Sequence, residues 1–350
     1  YFIYLMFLIP SIFVASTTLS FDANFRTNIA FVLSGPVCLG LAALYCYDKH
    51  ISFKQMSHIL LFMLLPIIAH TVYVYFYAPD LRDVLTNTAS NRAAAGGFGS
   101  NQVASILGLG MFILGVRIFI NSPTLALKLL NIILFVFISY RAVVTLSRGG
   151  VITAILCIAI FLIMYFFQAK PKVRNQVMGA FVLFLGGVAM AWVISSNQSS
   201  GMVDKRYANQ NAAGVEKEDI TTGRKQLFME ELEGFITNPF FGIGSSRAKD
   251  QRIEEDGQGV TSHNELSRTL AEHGIFGIMM LLILLFKPLD IRAKNKQNYY
   301  FYALLAFWFA TINHSSMRIA APAFIYGLAL LNVTHEKRPV HRKQLKATTR

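Results

Sequence analysis

Apolar runs of near-membrane length constrain this chain more than any other feature. They lie at about 1–18, 29–47, 57–78, 100–120, 125–145, 150–168, 174–196, 273–290, 297–313 and 317–333. A helix needs roughly 20 apolar residues to cross the hydrocarbon. The runs are too long for strands and lack an alternation of period two, so neither a soluble sheet nor a β-barrel fits. Charged residues make up only 15% of the chain, against roughly 25% in a soluble domain. The expected fold is an all-α, polytopic integral membrane protein of about ten transmembrane helices. Tyr1 already stands inside an apolar run, so N-terminal sequence that could include spans is expected to be missing. Cys38, Cys46 and Cys157 all fall inside apolar runs, which argues against a disulfide framework.

Lys and Arg in short connectors set orientation. Beyond Val333 stand Lys337, Arg338, Arg342, Lys343, Lys346 and Arg350 against the single acid Glu336, so this tail is expected to be cytoplasmic. The connectors 287–296, 169–174 and 48–56 are basic and fall on the same side. The net charge of +13 is therefore read as a topology signal and as contact with anionic membrane lipids, and no nucleic-acid partner is expected. Four connectors fall outside: 19–28, 79–99, 146–149 and a long polar one, 197–272. The expected organisation is spans one to seven over 1–196, a periplasmic loop over 197–272, spans eight to ten over 273–333, and a basic tail over 334–350.

The loop is too long to be a mere connection. Its first part, 198–222, is rich in Asn, Ser and Gly and is expected to be mobile, as is 247–260. Thr222 is read as the N-cap of a helix over 223–236 that ends at Asn238-Pro239. Ser262 and Glu265 have the spacing of a capping box, which would put His263 at a helix N-terminus beside the outer membrane surface.

Three basic residues thereby share one face: Arg148 in the hairpin Ser147-Arg148-Gly149-Gly150, Arg224 at the start of the first loop helix, and His263 at the start of the second. Guanidiniums match phosphate oxygens bidentately and stay charged, so a pair suits a diphosphate, both bound and as a leaving group. Histidine is the usual base near neutral pH and would take a proton from a sugar hydroxyl. The glycines beside Arg148 would allow close backbone approach. Each residue also has a plainer reading. Arg148 would snorkel to headgroups, Arg224 would pair with Glu230, Glu231 or another loop acid, and His263 would be one polar residue of a capping turn. Arg141, inside a span, would line a cavity, bind an anionic lipid or pair with an acid. Asp80 and Asp83 are two carboxylates without further ligands, a weak case for a metal.

At these residues the chain resembles the O-antigen ligase / O-antigen polymerase superfamily of membrane glycosyltransferases. The matching pieces are Ser147-Arg148-Gly149-Gly150, Thr222-Gly223-Arg224, Asn238-Pro239-Phe240-Phe241-Gly242-Ile243-Gly244, Ser262-His263-Asn264-Glu265 and Glu272-His273-Gly274-Ile275-Phe276-Gly277. Gly97-Phe98-Gly99-Ser100-Asn101 resembles the Asn-containing entry to an earlier span of the family. The resemblance covers roughly 90–333. His273 departs from it, standing where an apolar residue is usual, and the amino end falls short of the family's usual twelve or so spans.

The resemblance implies an undecaprenyl-diphosphate-linked glycan donor and a multi-pass protein of the bacterial inner membrane. Transfer would take place at the periplasmic face, with inversion and without metal or other cofactor. The acceptor would be lipid A-core sugar for a ligase, another repeat unit for a polymerase, or a protein Ser or Thr for some relatives; the ligase is preferred. Arg148 and Arg224 match the diphosphate-binding arginines. His263 matches the essential histidine, which activates the acceptor or touches the diphosphate. Asn264, Gly149, Asn101 and Arg141 would support them. A lipid or anion transporter, the competing class, would want a repeated half and charges near the midplane; no repeat is evident, and the cations gather at one face. A sensor or scaffold would leave the Arg/Arg/His set without a reason.

Overall fold

The structure, a computed structural model, describes residues 1–18, 23–79, 81–168, 171–219, 221, 223–256, 261–294, 298–317 and 319–334. Asp80, Thr222 and the tail beyond Thr334 lie outside them. The helices are α1 (Phe2–Met6), α2 (Ile9–Thr18), α3 (Ala23–Cys46), α4 (Phe53–Tyr77), α5 (Leu81–Val84), α6 (Ser100–Phe119), α7 (Leu125–Val144), α8 (Arg148–Gln168) and α9 (Pro171–Gln198). They continue as α10 (Met202–Tyr207), α11 (Arg224–Thr237), α12 (Arg247–Asp256), α13 (Glu265–His273), α14 (Ile275–Lys294), α15 (Phe301–Ser315) and α16 (Ala320–Ala329).

Among the described residues, six segments are long and apolar enough to cross a membrane: Arg26–Cys46, Phe53–Tyr77, Ala93–Phe119, Leu125–Val144, Arg148–Phe167 and Val177–Gln198. The other expected spans correspond to α1 and α2, α14, α15 and α16, all of them helical. At ten residues α16 is about 15 Å long, half the hydrocarbon thickness. Phe62, Phe167 and Val182 are each exposed by about two thirds or more. Bulky apolar side chains pointing outward along long helices suit lipid rather than water.

Inside, α6 is the central post, buried on nearly every side between α4, α7, α8 and α9. It crosses α8 so closely that a Cβ on Gly150 would stand 2.1 Å from the Ala104 carbonyl oxygen. Without a hydrophobic drive between helices in lipid, such approach of small residues is what gives packing energy. A second cluster gathers Tyr4, Leu39, Trp308 and Tyr326 where α3, α14, α15 and α16 meet α1. The only regular strands among the described residues, β1 (His50–Ser52) and β2 (Asn332–Thr334), pair in parallel. That pairing puts the 48–56 connector and the end of the last helix at one end of the array.

The opposite end carries the other connectors. The turn between α7 and α8 takes Asn91 N–H on the Thr145 carbonyl at 3.3 Å, and Thr88 Oγ1 donates to the Gln210 carbonyl at 2.8 Å. Within the long loop, residues 240–244 and the α13–α14 junction form one backbone knot. Ile243 N–H donates to the Ala271 carbonyl (2.9 Å), Gly244 N–H to Glu272 (3.2 Å) and Ile275 N–H to Phe240 (3.2 Å). Gly242 and Gly274 both have positive φ, and a Cβ on either would fall within 2.7 Å of the other strand's backbone, so glycine is required at both. Two motifs some thirty residues apart in sequence are thus one element, and Ser11 Oγ meets Ser245 Oγ at 2.5 Å to fasten it to α2.

Several expectations for the loop are corrected. Residues 202–207 form α10, and Asn211 N–H donates to the Val215 carbonyl at 2.8 Å in the turn that follows, so much of 198–222 is built rather than mobile. Residues 247–256 are helical as α12, and 257–260 lie outside the described residues. For α11 the N-cap position belongs to Gly223 (φ 80), whose N–H donates to Asp219 at 2.6 Å. For α13 the cap is Asn264, not Ser262. The Asn264 side chain accepts from the N–H groups of Leu266 (2.8 Å) and Ser267 (3.3 Å), while Glu265 turns to Arg268 instead of closing a capping box.

Gly150→Ala tests the α6–α8 crossing. The added methyl meets backbone, which cannot swing aside, so overpacking should cost about 1–3 kcal/mol and lower the melting temperature in detergent. An unchanged melting temperature would mean that the crossing is looser than described.

Candidate functional site

At the loop end of the array a cavity of about 330 Å³ opens against the start of α8. Its wall holds Arg148, Arg206, Arg224 and Lys225, with Ser147, Gly149 and Asn264, and no carboxylate among the described residues. Each cation is placed by a different element. The α7–α8 turn passes through Leu146, fully buried with φ 56, a left-handed conformation that leucine adopts only when its surroundings hold it. This turn aims Ser147 and Arg148 into the cavity. Ser147 Oγ donates to Asn101 Oδ1 at 2.7 Å, so Asn101 steadies the turn from α6 rather than facing the cavity.

Arg206 comes from α10. Asp204 fastens that short helix to α9, accepting from Trp192 Nε1 at 2.9 Å and from the Ser196 hydroxyl. The Arg206 side chain is then buried, with Nε donating to the Leu146 carbonyl at 3.0 Å and its own carbonyl facing Arg148 Nη1 at 3.5 Å. Sequence reasoning passed over this residue, which sits in a polar stretch; the only hint was the charged run Asp204-Lys205-Arg206-Tyr207.

Arg224 opens α11 and makes no ion pair with any described residue. Its expected alternatives, Glu230 and Glu231, are both taken by Arg252 at 3.0 and 2.9 Å. Glu231 also accepts from Ser267 Oγ at 2.5 Å, and Arg268 holds Glu265 and Glu272, the latter at 2.8 Å. The loop's buried acids therefore close on Arg252 and Arg268, and no described carboxylate lines the cavity that holds the other cations. Burial pushes the Glu272 carboxyl up to about 7 against the pull of Arg268. In the cavity the shifts have the other sign. Burial first, then Arg148 and Arg224, lowers the Arg206 guanidinium; burial and Arg148 lower Arg224. Outside the wall, Lys217 is lowered as well, by burial first and then by Arg206 and Arg148. Arginine stays charged under such pressure, so the cluster has a positive potential that favours an anion.

The remaining expected residues divide. Asn264 lines the cavity, whereas His263, its chain neighbour, is half-buried and is not part of the wall. Gly149 lines the cavity, but its missing Cβ makes room for His314, whose ring carbon would lie 2.3 Å from it. His314 Nε2 sits 3.1 Å from Ser105 Oγ, and Nδ1 lies 2.8 Å from the Ala310 carbonyl. That ring packs behind the Arg148 turn, and the sequence signal for it was an ionisable residue inside an apolar run. Arg141 faces a different cavity, away from Arg148 and Arg224, and so does not support them directly. Among the described residues no three His, Cys, Asp or Glu side chains come together as a metal site.

Residues 133–282 match the family model described as O-antigen ligase. The matched stretch runs from α7 into α14 and contains Arg148, Arg206, Arg224, His263 and Asn264. It bears out the superfamily resemblance that the short motifs carry. No curated protein matches the chain.

Arg268→Met tests the acid-binding half of this arrangement. It would strand Glu265 and Glu272 in a buried site, at a cost of about 3–5 kcal/mol, and should lower the melting temperature sharply. A variant as stable as the parent would show that those carboxylates are not held as described.

Proposed function

We propose that this multi-pass membrane protein is an O-antigen ligase-type glycosyltransferase that moves a glycan from undecaprenyl diphosphate to a lipid A-core sugar. In this reading ten spans, drawn from 1–196 and 273–333, sit in the bacterial inner membrane. Residues 197–272 face the periplasm and 334–350 the cytoplasm. The observation that carries the reading is the wall of Arg148, Arg206, Arg224 and Lys225 at the loop end of the array, where no described residue contributes a carboxylate.

The chemistry follows from where charge develops. An acceptor hydroxyl, approaching from outside the cavity wall where His263 stands next to Asn264, loses its proton to His263 and attacks the anomeric carbon from the face opposite the diphosphate. The bond from that carbon to the diphosphate oxygen breaks, and its electron pair stays on the diphosphate, which gains one negative charge. Guanidiniums already fixed around it stabilise that charge without reorganising, which is where preorganised sites do most of their work. Arg148 and Arg224 grip the diphosphate, with Arg206 behind them, while Asn264 holds the turn that carries His263. Pairing of 48–56 with the end of the last helix supports the expected sidedness, since both were placed on the cytoplasmic side by their basic residues.

Transfer from a lipid-diphosphate donor by purified protein tests the proposal. Arg148→Lys and Arg224→Ala should each lower the rate by about 10²–10³-fold, with His263→Ala at least as severe. Arg206→Gln should weaken donor binding more than turnover. Transfer at the parental rate by well-folded Arg148→Lys and Arg224→Ala protein would refute these roles. Products that lengthen by repeat units, rather than attach once to lipid A-core, would make the enzyme a polymerase.

A further inference from the structure

Arg141 is a buried cation that the proposed reaction leaves unused. It lies in the last turn of α7 with 2% of its surface exposed. Its Nη2 donates to the carbonyls of Val74 and Ala94, each at 3.1 Å. These two bonds tie the end of α4 to the 79–99 connector, and they supply partial charge but no counter-ion. Nε is buried with no hydrogen-bond partner, and no described carboxylate pairs with the side chain. The Tyr140 ring, 5.7 Å from the guanidinium carbon, adds partial negative charge. A guanidinium is not deprotonated in proteins, so a purely structural clamp of carbonyls and one tyrosine would still leave its full charge without a counter-ion.

The surroundings say what would meet them. Arg141 closes one end of a second cavity, about 520 Å³, between α4, α7 and α9. The cavity runs along α7 from Ile133 to Arg141, eight residues or about 12 Å. Its walls are apolar or aromatic, with Ile133, Phe137, Tyr75 and Tyr140, and Gln198 is the polar residue near the charged end. Ile133 and Tyr75 are largely exposed on the outer surface of the array. The groove therefore opens sideways, toward where acyl chains would be, with its cation at the end nearest the membrane surface. Tyr and its neighbours at that level are the residues that favour the interface.

We infer that this groove binds an anionic phospholipid, its phosphate ester on Arg141 and one acyl chain along α7 toward Ile133. The site is separate from the Arg148 cavity and does not depend on the proposed reaction. Phosphate is matched by the guanidinium fork, and the 12 Å apolar wall distinguishes a lipid from soluble phosphate, which would use only the charged end.

Native mass spectrometry of the purified chain, titrated with phosphatidylglycerol, phosphatidylcholine or inorganic phosphate, tests this. Phosphatidylglycerol should bind about tenfold more tightly than phosphatidylcholine, the worth of one good charge-assisted contact. Arg141→Gln should remove that preference. Ile133→Trp, on the outward face, leaves the two carbonyl bonds in place; it should weaken phosphatidylglycerol about tenfold by filling the groove. Inorganic phosphate that displaces the lipid from the parent but not from Arg141→Gln would assign the charged end to soluble phosphate, within the same anion chemistry. Equal binding of the two lipids by the parent, or phosphatidylglycerol binding unchanged in both variants, would overturn the inference.

Discussion

Charge segregation at the loop end of the helix array is the constraint on which the rest depends. The long loop brings acids and bases together in one small volume, and a random arrangement would neutralise them pairwise. Here Arg252 and Arg268 absorb Glu230, Glu231, Glu265 and Glu272 in a buried network. Arg148, Arg206 and Arg224 surround a cavity that no described carboxylate lines. At an effective dielectric near 20, two like charges 4 Å apart repel by about 4 kcal/mol. Clustering three guanidiniums therefore costs stability, and the proposed diphosphate, a multiply charged anion, would offset that cost.

Rigid backbone makes that segregation possible. The α7–α8 turn is pinned by Leu146 in a left-handed conformation, by Asn101 on Ser147 and by Arg206 on the Leu146 carbonyl. The loop is held by the knot between residues 240–244 and the α13–α14 junction, where only glycine fits at 242 and 274. These fasteners fix the cations to spans rather than to free loop, which is what a site that works without reorganisation requires.

The spans were legible because hydropathy is a local property of sequence, and so was the sharing of one face by Arg148 and Arg224, which follows from counting helices. Arg206 was not legible. Its position depends on Asp204 finding Trp192 and Ser196, contacts that no local pattern encodes. The misplaced cap on α13 has a similar cause: Ser262 and Glu265 have the right spacing, but Asn264 caps better and the carboxylate is drawn to Arg268. Gly149 and Gly150 looked like room for a ligand, whereas their missing side chains make room for His314 and the α6 backbone. In each case a non-local partner overrode a sound local rule.

The central claim is that one diphosphate sits among these guanidiniums. An experimental structure of the protein with a bound polyisoprenyl diphosphate tests it most directly. The account predicts both phosphates within hydrogen-bonding distance of Arg148 and Arg224, with the isoprenyl chain leaving toward lipid. A diphosphate lodged elsewhere, with the Arg148–Arg224 cavity filled by loop carboxylates instead, would contradict it.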